Sequence, residues 1–235
     1  MTTPEQLFAA ARAADAARPL VTFYDDATGE RAELSAASLG NWIAKTHFLL
    51  TDELGLGVGS RAYVSLPLHW MGLVVLFGCW SAGLEVVSDQ CADVAFVDTD
   101  GVAGAAAADD VYALALAPWG RGFPGAPPAG SADFVAAVRP QPDAWASVRS
   151  PGGSDDAALD GLSRAELVGA ARDRAAELTL AGGARLLVGE RPGGVDVVTL
   201  LAPLTVAGTL VLLRHALAAA DDRRVGQENV TDVVH

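Results

Sequence analysis

The sequence predicts an α/β fold: a mostly parallel sheet with helices on both faces, built from two related βαβ halves. Three observations predict it. Short apolar runs of strand length alternate with longer helical stretches along the chain. Two stretches echo each other: Arg61-Ala-Tyr-Val-Ser-Leu leads through an apolar helix to Ala82-Gly83, and Arg185-Leu-Leu-Val-Gly-Glu leads through another to Ala207-Gly208. Arginine to glycine spans 22 residues in one and 23 in the other, the mark of repeated βαβ units of one length. The small Ala-Gly pair lets each helix end sit close on the strand it feeds.

The elements follow in order. Thr3-Pro4-Glu5-Gln6 reads as a capping box opening a helix to about Ala17. Residues 20–24 (LVTFY) form a strand, DDATGE a turn, and residues 31–34 (RAEL) a hairpin partner. From Ser35 a helix carries Leu39, Ile43, Leu50 and Leu54 on one stripe and stops at Gly55. Strands are predicted at 61–66, 84–88, 93–98 and 111–116, with a buried helix from His69 to Ala82. Residues 117–131 (APWGRGFPGAPPAGS) have no periodicity and read as a long Gly/Pro-rich loop. It joins subregions 1–116 and 132–235 of a single domain, 1–235. Residues 132–139 follow as a short helix and 144–149 (AWASVR) as a strand. Ser163-Arg164-Ala165-Glu166 is a second capping box, opening a helix to about Leu178. The second βαβ unit completes the chain's ordered pattern, with its last strand at 209–213.

Composition narrows the function. The chain has 235 residues, enough for a sizeable core, and 51% of them are hydrophobic. Its net charge is −13, a field that repels phosphate backbones and argues against nucleic-acid binding. The apolar runs 64–87 and 195–213 are broken by prolines, glycines and polar residues, and read as buried helix and strand rather than as membrane spans. The start MTTPEQLF has no basic segment followed by an apolar one, so no secretory leader is expected. Cys79 and Cys91 lack CxxC spacing, which suits a reducing cytoplasm.

Chemistry-bearing residues are sparse. His47, His69, His215 and His235 carry no HxH or HExxH spacing, so no metal site is expected, and His69 reads as packing at a helix start. GLGVGS precedes a strand rather than following one, which excludes a dinucleotide loop. No serine stands in G-x-S-x-G. Of the five tryptophans, Trp119 alone falls in the Gly/Pro-rich loop, with Arg121 beside it; a solvated loop is the default reading, a partner contact the alternative.

One stretch carries more. Residues 150–163, SPGGSDDAALDGLS, form a Gly-rich, hydroxyl-bearing loop running into a helix, the kind of segment whose backbone amides cradle phosphates. Around it the chain resembles the adenylate-forming enzymes, the acyl-CoA synthetase and AMP-binding superfamily. Arg31-Ala-Glu-Leu34 stands at that family's "tYxeL" element, residues 55–66 at its glycine-rich turn and strand, and Ser81-Ala82-Gly83 at its "kaG" turn. Residues 186–213 are similar to a later strand–helix–strand unit of the same enzymes. The resemblance implies the N-terminal portion of such an enzyme, truncated before the elements that hold adenylate, ribose and the catalytic lysine, of a stand-alone kind from high-GC bacteria.

The resemblance also implies where a phosphate loop, T-S-G-[ST]-T-G-x-P-K, belongs: between Arg149 and the helix at Arg164. What stands there is Arg149, Ser150, Pro151, Gly152, Gly153, Ser154 and then Asp155-Asp156. Arg149, Ser150, Gly152, Gly153 and Ser154 are the candidate cofactor-binding residues. The lysine is missing, with Arg149 or Arg164 as possible stand-ins. Asp155, Asp156 and Asp160 place carboxylates where a triphosphate would lie, at a cost on the order of several kcal/mol in a partly dry site. The expectation is a degenerate loop on a protein that is not an enzyme: no catalytic residue, no resident cofactor, and action by binding another protein or an acyl or aromatic acid. The alternative is a residual binder of ATP, AMP or acyl-adenylate with magnesium, completed by another chain. A homodimer is expected through the region from about Val195 onward, because strand 209–213 is apolar on both faces and residues 229–234 have the character of a strand able to pair across a two-fold axis.

Overall fold

In the computed structural model, which describes residues 1–190, 196–216 and 224–234, the chain divides into two compact units interleaved along the sequence. One comprises residues 40–66 and 71–164 with Met1; the other comprises residues 2–39, 67–70 and 165–235. The expected α/β architecture is present, with mostly parallel sheets and flanking helices, and each of the two echoing βαβ stretches lies in its own sheet.

In the first unit the sheet has seven strands: β3 (Arg61–Ser65), β4 (Glu85–Val87), β5 (Val94–Asp98), β6 (Asp110–Leu114), β7 (Ala132–Asp133), β8 (Ala157–Leu159) and β9 (Leu162–Ser163). Their order is β7-β6-β5-β3-β4-β8-β9, parallel throughout except for the final β8–β9 hairpin. Between β3 and β4 runs α3 (Trp70–Ala82), which is apolar on every side and correspondingly buried. It packs closely because Gly78 leaves no side chain where Thr46 lies: a Cβ there would sit 2.4 Å from Thr46 Cγ2. One face of the sheet holds Ala95, Val97, Val102, Ala105 and Ala113, closed by Phe123 from the Gly/Pro-rich loop. That loop lies within this unit, pinned by the Asp133 carboxylate accepting the Phe123 amide at 2.9 Å.

The second unit holds a five-stranded sheet, ordered β12-β10-β11-β1-β2. Its members are β1 (Pro19–Asp25), β2 (Glu30–Ser35), β10 (Arg185–Gly189), β11 (Thr209–Arg214) and β12 (Asp232–Val234). The first hairpin, β1–β2, is antiparallel, and β1, β11, β10 and β12 run parallel. The helices of this unit include α1 (Pro4–Ala14), whose start has the Gln6 Oε1 accepting the Thr3 amide, as a capping box requires. They also include α5 (Arg164–Glu177), whose first residue belongs to the first unit, and α6 (Val197–Leu201). Two further helices complete the order: α2 (Ala36–Phe48), which extends through a wider turn to Glu53, and α4 (Phe134–Val138). Among the described residues no helix is long and apolar enough to cross a membrane.

The Ala207-Gly208 pair behaves as its composition predicts. Ala207 closes the turn in the left-handed region at φ 56°, and a Cβ on Gly208 would fall 2.4 Å from the carbonyl oxygen of Ala184. That oxygen accepts the Thr209 amide that starts the β11 ladder. Gly208→Ala is therefore expected to cost about 1–3 kcal/mol or more in chemical denaturation, because backbone rather than a side-chain end must move. A change within about 0.5 kcal/mol would show that the strand yields freely.

One expectation needs correction. Residues 144–149 do not form a strand: Trp145–Ser147 is a single 3-10 turn, closed by the Val148 amide donating to the Trp145 carbonyl at 3.0 Å. Residues 229–234, expected to have strand character, contribute β12, which lies at the edge of the sheet and pairs on its inner side with β10 of the same chain. Strand β11, apolar on both faces, is buried by the chain itself: Val225 and Val230 pack over Leu187, Val211 and Leu213.

Candidate functional site

The loop between Arg149 and α5 closes on itself. Arg149 is exposed, and its Nη1 donates to the carbonyls of Ala146 and Val148, at 2.6 and 2.9 Å, turning that amino group back onto its own chain. The Gly153 amide, a group a phosphate would need, donates instead to Asp156 Oδ2 at 2.7 Å. Ser154 Oγ donates to Asp155 at 3.1 Å. The Asp156 carbonyl then accepts the Arg164 amide at 2.9 Å, tying the loop to the first turn of α5.

Arg164 is the residue that organises this segment. It has no exposed surface, and its Nη1 donates to Ser150 Oγ at 3.3 Å. Its guanidinium lies against Gly152: a Cβ at that glycine would fall 2.5 Å from Arg164 Cζ. Of the candidate residues, Ser150 and Gly152 thus meet Arg164, Gly153 meets Asp156, and Arg149 and Ser154 meet only near neighbours.

Asp160 is not part of this arrangement. It occupies the turn of the β8–β9 hairpin with Gly161, both at positive φ, 44° and 84°. Its Oδ1 accepts the Ser88 amide at 2.7 Å and the Ser88 hydroxyl at 3.0 Å, and Glu85 Oε1 accepts the Gly161 amide. Two aspartates read as repelling a triphosphate therefore have structural partners.

The second unit holds a polar cluster that sequence reasoning did not find. Glu228 follows a helical turn at 224–227 and reaches the sheet face that carries Thr22 and Tyr24. Its carboxylate takes Arg185 Nη2 at 2.6 Å and Arg31 Nη2 at 3.0 Å, and accepts the Tyr24 hydroxyl. Arg185 donates further to Thr22 at 2.8 Å and Thr209 at 3.2 Å. Burial works to raise the Glu228 carboxyl, but the hydrogen bonds from Tyr24, Arg185 and Arg31 prevail and hold it below its ordinary range. Burial and the neighbouring carboxylate push the Tyr24 phenol up. The face of Tyr24 is covered by Arg224, 4.6 Å above the ring, whose guanidinium also grips Asp26 with both amino groups. Only the isolated Glu228 in the polar tail hinted at this, since its partners are scattered along the chain.

At the far ends of the same strands, the His215 ring meets Asp25 at 2.8 Å, and His69 is buried against the edge of Phe23, their ring centroids 4.5 Å apart. Burial, aided by the Arg214 charge, pushes the His69 imidazole down to about 3. It therefore packs as a neutral ring, in keeping with the role its helix-start position implies. His235 lies outside the described residues. Among the described residues no three His, Cys, Asp or Glu side chains are arranged to hold a metal ion.

This fold is that of the N-terminal domain of acyl- and aryl-CoA synthetases. The chain superposes on acetoacetyl-CoA synthetase from Streptomyces lividans with a TM-score of 0.76 at 18% identity, covering 97% of this chain and 41% of that one. An acyl-CoA synthetase from Brucella canis gives 0.75 at 15% identity, covering 99% and 47%. An anthranilate CoA ligase solved with anthranoyl-AMP gives 0.72 at 13%, covering 98% and 48%. The chain thus spans about half the length of each, and at such identities the likeness establishes fold. No protein-family model matches the chain. A Mycobacterium tuberculosis protein described as a TIGR03089 family protein is 38% identical over 248 residues, covering all of both chains. The chain belongs to that family.

Proposed function

We propose that this protein keeps the synthetase fold without the adenylation chemistry and acts by binding, its partner being another protein or an acyl or aromatic acid. The observation that carries this reading is the Gly153 amide held by the Asp156 carboxylate. An internal anion takes a donor that a phosphate would use, in a loop already bearing Asp155. Breaking that contact to admit ATP would bring its phosphates against the Asp155 and Asp156 carboxylates, like charges that repel. The two free thiols, Cys79 and Cys91, support a cytoplasmic setting. Self-association remains part of the proposal, with an interface from about Val195 onward. Val233, the exposed large apolar side chain of that region, is its natural contact. Light scattering at low micromolar concentration reads it directly, and a 24.1 kDa species would end it.

A second reading has one observation in its favour. Arg164 beside Ser150 and Gly152 places a cation against the loop where the missing lysine is expected, which supports residual nucleotide or acyl-adenylate binding. Thermal unfolding with and without ATP and magnesium separates the two. A ligand at a hundred times its Kd adds about 2.7 kcal/mol, worth roughly 5–10 °C in a chain of this size. No shift is expected, and no pyrophosphate exchange with a panel of carboxylic acids. A shift of that size, or exchange that disappears on Arg149→Ala, would restore the loop as a nucleotide site.

A further inference from the structure

The second unit contains a cavity of about 360 Å³ at the amino-terminal ends of β1, β10 and β11, and none of its lining residues belongs to the loop that precedes α5. We infer that it binds a small hydrophilic anion, a carboxylate or phosphate on a polar body. At about 30 Å³ per water it has room for roughly a dozen waters, or for one compact metabolite. Its lining is polar apart from Pro19 and Gly183, so an apolar acyl chain finds no matching wall.

The lining includes two carboxylates, and both are already held. Glu33 takes Arg31 Nη2 at 2.7 Å, and Glu228 takes Arg31 and Arg185. What the cavity presents beyond these pairs is a set of donors: the guanidinium of Arg18, the carboxamides of Gln227 and Asn229, and the hydroxyl of Thr209. Arg18 is exposed at the rim, anchored by one contact from Nη1 to the Ala207 carbonyl at 3.1 Å, which leaves most of its planar donor fork open to a ligand. The floor is rigid, because Arg185 is bonded at once to Thr22, Thr209 and Glu228. Asp15 and Asp232 stand outside the lining: Asp15 accepts the amides of Ala17 and Arg18, and Asp232 accepts the Thr231 hydroxyl. A floor fixed by the bonded Arg185 and a cation with open donors at the mouth fit an oxyanion that enters head first, its polar body against the carboxamides. This site shares no residue with the loop, and its success or failure leaves the nucleotide question untouched.

The full chain is titrated with inorganic phosphate and, separately, with succinate, and followed by amide chemical shifts and calorimetry. Saturable binding is expected with a Kd on the order of 1 mM or tighter, with shifts at Arg18, Gly183 and Thr231. Phosphate alone identifies a phosphoryl ligand, succinate alone a carboxylate, and either supports the site. Arg18→Ala is expected to weaken binding by about tenfold or more, and Gln227→Ala by less. Gln227 is exposed, so its variant keeps the test valid if Arg18→Ala disturbs folding. No saturable shift from either anion at tens of millimolar, or unchanged affinity in folded Arg18→Ala, overturns the inference.

Discussion

Replacing Glu228 with alanine is expected to destabilise the protein by about 3–5 kcal/mol, the cost of leaving the largely buried Arg185 without its counter-charge. The carboxylate is the hub at which Arg185, Arg31 and Tyr24 meet. Removing it strands the Arg185 guanidinium, of whose side chain 16% is exposed, above the sheet. It also frees the segment whose Val225 and Val230 cover Leu187, Val211 and Leu213. Glu228→Gln keeps the shape and loses the charge, so its cost reports the electrostatic share. The pH dependence has a definite sign. The folded carboxyl lies below its ordinary value of 4.5, so its contribution is fully present above 4.5 and is lost as pH falls through the folded value. Urea unfolding at pH 7 measures both variants. A loss under about 1 kcal/mol for alanine would mean that the arginines find water or other acceptors without penalty.

The second large effect is acid destabilisation through His69. Its folded value of about 3 stands against 6.5 for a free imidazole, so between those limits the unfolded chain binds the extra proton. Stability from the neutral ring is therefore complete above pH 6.5 and falls as pH drops toward 3. The full difference amounts to on the order of a few kcal/mol. His47, pushed down by burial beside Ser81, acts in the same direction. The carboxylates enter only at lower pH. Unfolding free energies at pH 7, 6 and 5 are expected to decline in the wild-type chain and to decline less in His69→Leu. Equal slopes in the two proteins would show that the imidazole gains solvent and protonates within the folded state.

Much of this fold was legible because its strands are buried on both sides and read as unbroken apolar runs. Residues 94–98, 111–114, 186–188 and 209–213 are of this kind. The hairpin of β8 and β9 was missed although its signal was present. Asp160-Gly161 between Leu159 and Leu162 is the dipeptide that favours a two-residue turn with both φ angles positive. With three carboxylates close together the stretch reads as charge hostile to phosphate, whereas Asp160 is a turn residue. Residues 144–149 misled in the opposite way, since alternation without a neighbouring strand to bond closes locally as a turn. The position of the candidate loop was readable; the Asp156–Gly153 contact and the burial of Arg164 depend on backbone geometry that composition does not encode. The Glu228 cluster was invisible for a related reason. Its members lie up to 204 positions apart and meet only once the sheet is assembled.

That separation bears on how the chain folds as it is made. The β1–β2 hairpin ends at Ser35, but the strand that completes its inner edge, β11, begins only at Thr209. At about 5–20 residues per second the hairpin waits on the order of ten seconds or longer. Throughout that interval one edge of β1 offers its amides and carbonyls to any passing strand. Translation rate and chaperone supply should therefore govern the yield of native protein more strongly than its final stability does.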